Sequence, residues 1–308
     1  MKVLITGGAG YVGTSLCDQL DALDAIKEIT VYDSLFRNDR RFFFRDVPYQ
    51  KVKFIHGDIL DTEQLRGACE NQDAVIHLAA FVDEPYHHTQ HTQYDQVNAY
   101  GTLSVVRAIE QSPSISNAFY LSSSAVFGFQ EGIDPLSPAA PQNGYAVSKH
   151  LGEKYFARLA NSLNRVDIAR SGQVYGVNRS MRFDSVIHAF LFEALTNGCV
   201  QVYGNGEQFR AFIQVQEVAK RIGNWLIASP DSTHFSTKPH LWASFQAQIS
   251  ELLAWLAAEI PTTEYRYLTP NISMPSQSFE KISKFQQEEL HVTLHAMKAK
   301  MATQAVSS

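Results

Sequence analysis

The amino-acid sequence predicts an α/β fold, a doubly wound parallel sheet with a smaller C-terminal lobe. Two observations carry this prediction. In the first 120 residues, short runs rich in β-branched residues alternate with longer helical patterns, which is typical of parallel strands joined by helices on both faces of a sheet. The chain also has 308 residues, of which 45% are hydrophobic, enough for a large core and a second, smaller lobe.

The elements follow from local patterns along the chain. Strands are predicted at 2–6, 28–32, 52–56, 74–77 and 118–121, with helices between them at 11–23, 62–69 and 91–111. Prolines and glycines in the segment 128–144 exclude a regular element there. A helix at 145–163 and a strand near 166–169 complete this part of the chain.

Beyond residue 172 the alternation of strands and helices weakens. Helical patterns at 182–196, 215–228 and 245–260 are separated by short extended pieces. The last dozen residues are small and polar, so we expect a frayed end. We assign residues 1–172 to the sheet domain, with a later segment at about 212–230 returning to it, and 173–308 mostly to the smaller lobe.

Composition and charge exclude several classes of partner. The net charge is -5, and no block of like charge recommends nucleic acid or a membrane surface. Cys17, Cys69 and Cys199 lie far apart, as expected of reduced thiols in a cytoplasmic protein. The first apolar run, VLIT, is too short for a signal peptide or a membrane span.

A glycine-rich loop follows the first predicted strand and opens a helix. Gly7, Gly10 and Gly13 allow a tight turn, a close approach of the backbone to phosphate and close packing of helix on strand. The start of the helix, at Tyr11 and Val12, offers unpaired N–H groups and a positive dipole end to a pyrophosphate.

An acidic residue stands where a dinucleotide-binding unit needs one. Asp33 follows the second predicted strand, about twenty residues after the last glycine, where a carboxylate binds ribose hydroxyls. A carboxylate there repels a 2′-phosphate, so NAD is favoured over NADP, although Arg37 lies close by. The loop is therefore predicted to bind a dinucleotide.

Two further strand ends carry candidate cofactor contacts. Asp58, in HGDIL, would lie beside the adenine ring at the carboxyl edge of the sheet, or it would cap the next helix; the sequence leaves both readings open. Leu78, Ala79 and Ala80 follow the fourth strand, and the small side chains of the two alanines leave room for a flat cofactor.

Candidate catalytic residues follow the fifth strand and open the next helix. Tyr145 and Lys149 are four residues apart and so lie on one helix face, and a nearby ammonium is expected to lower the pKa of the phenol. The serine run 122–124 supplies a hydroxyl that can bind the substrate oxygen. This arrangement predicts a general base that works at neutral pH.

These motifs, in this order, resemble the extended short-chain dehydrogenases/reductases, the NAD-dependent nucleotide-sugar epimerases and dehydratases. The matching motifs lie between residue 1 and about 220: TGGAGYVG, Asp33, GDIL, HLAA, NAYGT, LSSSAVFG, YAVSK, RSGQVYG and YGNGEQFRAFIQV. The resemblance implies a Rossmann-type fold and a tightly held NAD, with Tyr145 as catalytic base, Lys149 as its pKa partner and Ser123 as the third member. The cofactor contacts that it implies, together with those named above, are Gly7, Gly10, Tyr11, Val12, Asp33, Asp58, Ile59, Leu78, Ala79, Ala80, Asn98, Tyr145 and Lys149.

The reaction in this family depends on the two positions after the catalytic serine. The resemblance places an Asp-Glu pair there in sugar 4,6-dehydratases, a Glu at the second position in UDP-glucuronate decarboxylases and a Cys at that position in epimerase–reductases. Ser124 and Ala125 stand there in this chain, and neither transfers a proton at neutral pH. The leading hypothesis is therefore a 4-epimerase that acts through a transient 4-keto sugar.

Three alternatives to the 4-epimerase stay open. They are a nucleotide-sugar dehydratase, an NAD(P)-dependent reductase or dehydrogenase of a non-nucleotide substrate, and a non-catalytic NAD-binding protein. The intact set of Ser123, Tyr145 and Lys149 argues against the last of these.

Substrate contacts are predicted at the far end of the motif series. Arg210 falls where the family has an Arg that binds the substrate diphosphate, since guanidinium matches phosphate bidentately; Arg182 and Arg266 are weaker candidates. The resemblance adds Gln173, in place of a family Asn that contacts the sugar nucleotide. Ser123 and Ser124 complete the predicted substrate site.

Two remaining expectations concern metals and assembly. His87, His88 and His91 are predicted to belong to a solvated loop over the substrate, and we expect no metal, because no carboxylate or Cys stands at ligand spacing. The resemblance suggests a homodimer formed through the helices at about 91–111 and 145–163.

Overall fold

The computed structural model describes residues 1–37, 40–82, 91–228, 238–269, 271 and 274–305 of the chain. A seven-stranded parallel sheet forms the centre, in the order β10-β6-β5-β4-β1-β2-β3. Smaller sheets have the orders β11-β9-β7 and β12-β8. The strands are β1 (Lys2–Thr6), β2 (Glu28–Asp33), β3 (Val52–His56), β4 (Ala74–His77), β5 (Asn117–Ser123), β6 (Arg165–Ser171), β7 (Gln173–Tyr175), β8 (Cys199–Val202), β9 (Phe209–Gln214), β10 (His240–Trp242), β11 (Phe245–Gln248) and β12 (Glu264–Tyr267).

Helices connect the strands and cover the sheet. They are α1 (Tyr11–Asp21), α2 (Thr62–Cys69), α3 (His91–Gln93), α4 (Thr102–Glu110), α5 (Gly144–Ala157), α6 (Val186–Thr196), α7 (Val215–Ile227), α8 (Ile249–Glu259) and α9 (Glu288–Ala305). A π-helical stretch, Tyr94–Gly101, joins α3 to α4. Within the described ranges, every helix is too short or too polar to cross a lipid bilayer.

The sheet is buried on both faces, as its apolar strands require. Successive side chains of a strand point to opposite faces. One face packs on α1 and α7 through a core that includes Val3, Ile5, Ile29, Val31, Leu16 and Ile222. The opposite face packs on α2, α4 and α5 through Leu4, Tyr32, Val75, Leu65, Val106 and Phe156. The predicted fold class, a Rossmann-type doubly wound parallel sheet, is confirmed.

The second half of the chain is divided between the sheet and a lobe of its own. α7 packs against α1, and β10 pairs with β6 as the seventh strand of the central sheet. A separate core holds side chains from α6, α8 and α9, among them Leu191, Leu252, Trp255, Leu290 and Leu294.

Two predictions for the C-terminal lobe are wrong. The segment 245–260 is not one helix: Phe245–Gln248 is a strand that pairs with β9, and the helix begins at Ile249. Residues 297–305 are not frayed, because α9 runs to Ala305 and Met297 is buried in the core of the lobe. Leu290, Leu294 and Met297 recur at helical spacing and bury one face of α9, which holds the helix in place.

Candidate active site

The glycine loop lies against the carboxyl end of β4. Gly7 has φ +72°, and a Cβ there would come within 2.5 Å of the backbone nitrogen of Ala79. A Cβ at Gly13 would come within 2.5 Å of the Gly8 carbonyl oxygen. Glycine is required at both positions, because strand end, loop and helix are in backbone contact.

The loop ends at the start of α1. Gly10 is the N-cap of this helix, so no side chain occupies the N–H groups of the first turn, which begins with Tyr11 and Val12. These groups have no intrahelical acceptor and can bind a phosphate oxygen. The geometry fits the diphosphate of a dinucleotide.

Asp33 is fixed beside the glycine loop. Its Oδ2 accepts the N–H of Ala9 at 3.0 Å, and its Oδ1 accepts the N–H of Leu35 at 2.8 Å. Burial raises the pKa of this carboxyl, while the Leu35 and Ala9 amides lower it. Each carboxylate oxygen accepts more than one hydrogen bond, so both can also receive a ribose hydroxyl.

Arg37 is engaged away from Asp33. Its Nη1 lies 3.4 Å from Oδ2 of Asp184, and its Nη2 donates to the carbonyl of Val82. Asp184 also binds Arg182, so one carboxylate balances two guanidinium groups. This arrangement supports the preference for NAD that Asp33 indicates.

The two cofactor contacts predicted after β3, Asp58 and Ile59, differ in their exposure to solvent. Asp58 is exposed, and its Oδ1 accepts the N–H of Leu60 at 2.9 Å. The cap of α2 is Asp61, whose side chain accepts the N–H of Gln64. The alternative that Asp58 caps this helix is therefore wrong. Ile59 is buried.

Asn98 organises the chain after β4, where residues 78–80 are partly exposed. Its Oδ1 accepts the N–H of Phe81 at 2.6 Å, and its Nδ2 donates to the Phe81 carbonyl at 2.9 Å and to Oγ of Ser148 at 3.2 Å. Asn98 thus links the segment that follows β4, where the cofactor is predicted to lie, to the helix that carries Tyr145 and Lys149. Its contact with NAD stays a prediction.

The catalytic candidates Ser123 and Tyr145 come together. Ser123 ends β5, and Tyr145 lies in the first turn of α5, whose N-cap Asn143 accepts the N–H of Ala146 at 2.8 Å. The Ser123 hydroxyl lies beside the Tyr145 phenol, where hydrogen bonding to it lowers the pKa of the phenol. The same Ser123 Oγ accepts the N–H of Ala125 at 3.2 Å, which fixes the direction of the hydroxyl.

The predicted lowering of the Tyr145 pKa by Lys149 is wrong for this structure. Burial raises the pKa of the phenol; the Ser123 hydrogen bond and the charge of Arg182 oppose this. The Lys149 Nζ instead donates to the Leu121 carbonyl at 2.7 Å and lies 4.3 Å from the centroid of the Tyr120 ring. Burial lowers the pKa of Lys149 to about 7, against the charge of a neighbouring carboxylate.

That carboxylate is Glu153, one turn further along α5. Arg170 binds it through Nε and Nη2, each at 2.8 Å, and Ser122 Oγ donates to it at 2.7 Å. The charges of Arg170 and Glu153 compensate each other in a buried site. The network holds the catalytic helix against β5 and β6.

The predicted substrate residues lie in three places. Arg182 is bonded to Asp184, yet it is close enough to Tyr145 for its charge to lower the phenol pKa. Arg210 Nη1 donates to the carbonyls of Phe209 at 2.7 Å and Pro275 at 2.6 Å. Gln173 has a buried Oε1 for which the described residues provide no hydrogen-bond partner, and this fits a site for a donor on a ligand.

The remaining predicted positions are described only in part. Arg266 is exposed on β12, and Ser124 is buried directly after Ser123. The prediction for the histidines falls outside the described residues, since these exclude 83–90 and the side chain of His91.

Tyr94 is a site residue that the sequence analysis missed. Its ring centroid lies 5.8 Å from that of Tyr145 in an edge-on arrangement and 5.5 Å from that of Phe81. It begins the π-helical stretch, a rare geometry that often marks functional sites. Its position four residues before Asn98, on the same helix face, was a signal available in the sequence.

Comparison with known proteins identifies the class to which this site belongs. The model of the NAD dependent epimerase/dehydratase family matches residues 3–233. A putative UDP-glucose 4-epimerase of Methanocaldococcus jannaschii is 28% identical over 225 residues, which are 71% of each chain. UDP-glucuronic acid decarboxylase 1 of Xenopus tropicalis is 28% identical over 240 residues, 75% of this chain and about half (54%) of the decarboxylase.

A solved structure extends the likeness over nearly the whole chain. The UDP-N-acetylglucosamine 4-epimerase of Methanobrevibacter ruminantium M1, in complex with UDP-N-acetylmuramic acid, superposes with a TM-score of 0.80 at 25% identity. The match covers 97% of this chain and 98% of that one. It therefore includes the part of the C-terminal lobe that lies beyond the family model, from residue 234 onward.

Proposed function

The chain belongs to the NAD-dependent epimerase/dehydratase family, its cofactor is NAD, and we propose that it catalyses the 4-epimerisation of a nucleotide sugar. The observation that carries the proposal is the Ser123 hydroxyl beside the Tyr145 phenol. The two residues after Ser123, Ser124 and Ala125, cannot act as acid or base. Such a site can remove and return one proton. UDP-sugar 4-epimerases among the relatives support the proposal.

In the proposed reaction, Tyr145 transfers the proton and Ser123 binds the sugar oxygen. Bound NAD supplies the hydride acceptor, which later becomes the donor. The Tyr145 phenolate takes the proton of the sugar 4-hydroxyl while the C4–H bond breaks, and the Ser123 hydroxyl holds the same oxygen. After the 4-keto sugar presents its other face, the phenol returns the proton as C4 is reduced.

Two neighbours of Tyr145 stabilise the phenolate, against the larger effect of burial. The Ser123 hydroxyl and the Arg182 guanidinium both stabilise the negative charge, whereas burial opposes it. We propose Arg210 as the contact to the substrate diphosphate, and its bonds to two backbone carbonyls orient the guanidinium.

The proposal is tested by incubating the NAD-saturated enzyme with UDP-, TDP-, GDP- and CDP-sugars in deuterated water. We expect a C4 epimer that keeps its own hydrogen at C4, because the hydride leaves and returns to the same carbon. Loss of water with deuterium incorporated into the sugar, or loss of carbon dioxide, without any epimer, would contradict the proposal. NAD that stays bound while no nucleotide sugar changes would favour the non-catalytic alternative.

We propose in addition that the chain forms a homodimer through the helices at 91–111 and 145–163. Tyr100 and Val147 support this proposal, since they lie on these helices and are 51% and 42% exposed in the single chain. Light scattering should give the mass of two chains. Tyr100→Glu with Val147→Glu should give one, whereas Leu136→Glu, at an 86% exposed position outside the helices, should leave the dimer intact.

A further inference from the structure

A segment of the C-terminal lobe, residues 275–279, runs across the catalytic strand end; we call it the strap. Ser276 Oγ accepts the N–H of Phe209 at 2.9 Å, and the Gln277 N–H donates to the Phe209 carbonyl at 3.1 Å. The ring of Phe279 packs edge-on against Phe127 at 5.4 Å between centroids. The strap is thus bonded to β9 at one end and packed against Phe127, just after the catalytic Ser123, at the other.

Gln277 is the strap residue that reaches the turn after the catalytic serine. This 3-10 turn is Ser124–Phe127, with Ser123 as its N-cap. Gln277 Nε2 donates to the carbonyl of Ser124 at 2.9 Å and to that of Gly128 at 2.6 Å. The side chain is only 5% exposed, so one buried amide bonds both ends of the turn.

We propose that Gln277 is a positioning residue for Ser123. The turn that Gln277 holds includes Ala125, whose N–H donates to the Ser123 hydroxyl oxygen. Because that hydroxyl in turn lies beside the Tyr145 phenol and lowers its pKa, a displacement of the turn moves the group proposed to hold the substrate oxygen. A displacement of about 1 Å in such a group is enough to slow a reaction about a hundredfold.

The strap also carries a contact from the predicted diphosphate site. Pro275 lies two residues before Gln277 in the strap, and its carbonyl accepts a hydrogen bond from Arg210. The residue proposed to bind the diphosphate and the catalytic turn are therefore bonded to the same three-residue stretch. The inference rests on the proton-transfer role proposed for Ser123 and Tyr145 and does not depend on which sugar is epimerised.

The test compares Gln277→Met, which keeps the size and loses the amide, with Gln130→Met as a matched control. Gln130 is exposed and donates to the Phe127 carbonyl of the same turn at 3.4 Å. The readout is the titration of the Tyr145 phenol, followed by NMR of carbon-labelled tyrosine in NAD-saturated protein and assigned with Tyr145→Phe. Other groups that act on this phenol or its neighbours are unchanged in both variants: Arg182, Tyr94, Tyr120, Lys149 and Glu153.

We expect Gln277→Met to raise the pKa of Tyr145, because the Ser123 hydrogen bond that lowers it is weakened, and we expect no change in Gln130→Met. A lower thermal midpoint with an unchanged phenol titration would show a merely structural role and overturn the proposal. If Gln277→Met does not fold, Gln277→Asn keeps an amide that is too short to reach both carbonyls, and it should also raise this pKa; no change would overturn the proposal. The titration needs no substrate, so it is independent of whether an epimer is ever formed.

Discussion

Replacing Gly7 by Ala is expected to destabilise the chain more than the same change at Gly132. Both glycines have left-handed backbones, with φ +72° and +65°. An L-residue in this region costs about 1–2 kcal/mol at either position. The two sites differ in space: a Cβ at Gly132 meets nothing within 4 Å, whereas at Gly7 it would lie 2.5 Å from the nitrogen and 2.6 Å from the Cα of Ala79.

The collision at Gly7 is with backbone, which cannot rotate aside as a side chain would. Forcing an extra methyl into a packed site adds about 1–3 kcal/mol. Gly7→Ala should therefore lose about 2–5 kcal/mol of unfolding free energy and Gly132→Ala about 1–2 kcal/mol. Since Ala79 belongs to the predicted floor of the cofactor site, its displacement should also weaken NAD binding by about tenfold or more, which corresponds to about 1.4 kcal/mol.

Urea unfolding of the two variants measures the first difference, and calorimetric titration with NAD measures the second. Gly132→Ala serves as the control for the cost of the backbone conformation alone. Equal losses of stability in the two variants, together with unchanged NAD affinity in Gly7→Ala, would refute the explanation from backbone contact.

Three further predictions follow from the site. Tyr145→Phe should keep NAD affinity, measured by calorimetry, and lower kcat by about a hundredfold to ten-thousandfold, as expected for loss of a general base; a smaller loss would assign the base to another group. In a plot of kcat against pH, Arg182→Ala should shift the rising limb to higher pH, because the guanidinium lowers the pKa of the Tyr145 phenol, which must be deprotonated to act. Arg182→Lys, which keeps the charge, should shift the limb less. An unchanged limb in Arg182→Ala would contradict this role of Arg182. Burial lowers the pKa of Lys149 from 10.5 to about 7, so the unfolded chain binds this proton more tightly and the unfolding free energy should rise with pH above about 7. Urea unfolding at pH 7 and pH 9 should show this rise in the unchanged protein and not in Lys149→Met. An equal rise in both proteins would contradict a buried, weakly basic amine.

Local patterns predicted the sheet because its determinants are local. Three strands, at 2–6, 52–56 and 74–77, have the predicted bounds, since each contains a short apolar run, and the first two end directly before glycine. The segment 245–260 was misread because the alternation of Phe245 and Ala247 passes directly into a helical pattern at Ile249. α9 was missed because the small and polar residues near its end obscure the helical spacing of Leu290, Leu294 and Met297.

Residues of the candidate site were predictable where a short sequence motif determines both their position in the fold and their chemical role. The glycine loop, Asp33 and the pair of Ser123 and Tyr145 belong to this group. Gln277 could not be found in this way, because it bonds residues about 150 positions earlier in the chain. The direction of the Tyr145 pKa depends on burial, which a spacing of four residues does not reveal.

β10, the seventh strand of the central sheet, can complete the core only late in the synthesis of the chain. Phe119 of β5 packs against Trp225 of α7 and Trp242 of β10, each at 5.4 Å between ring centroids. The first half of the chain therefore leaves the ribosome with one flank of its core open and the edge of β6 unpaired. That flank closes only after residue 242 has emerged, so chaperone contact and premature cleavage should concentrate on nascent chains shorter than this.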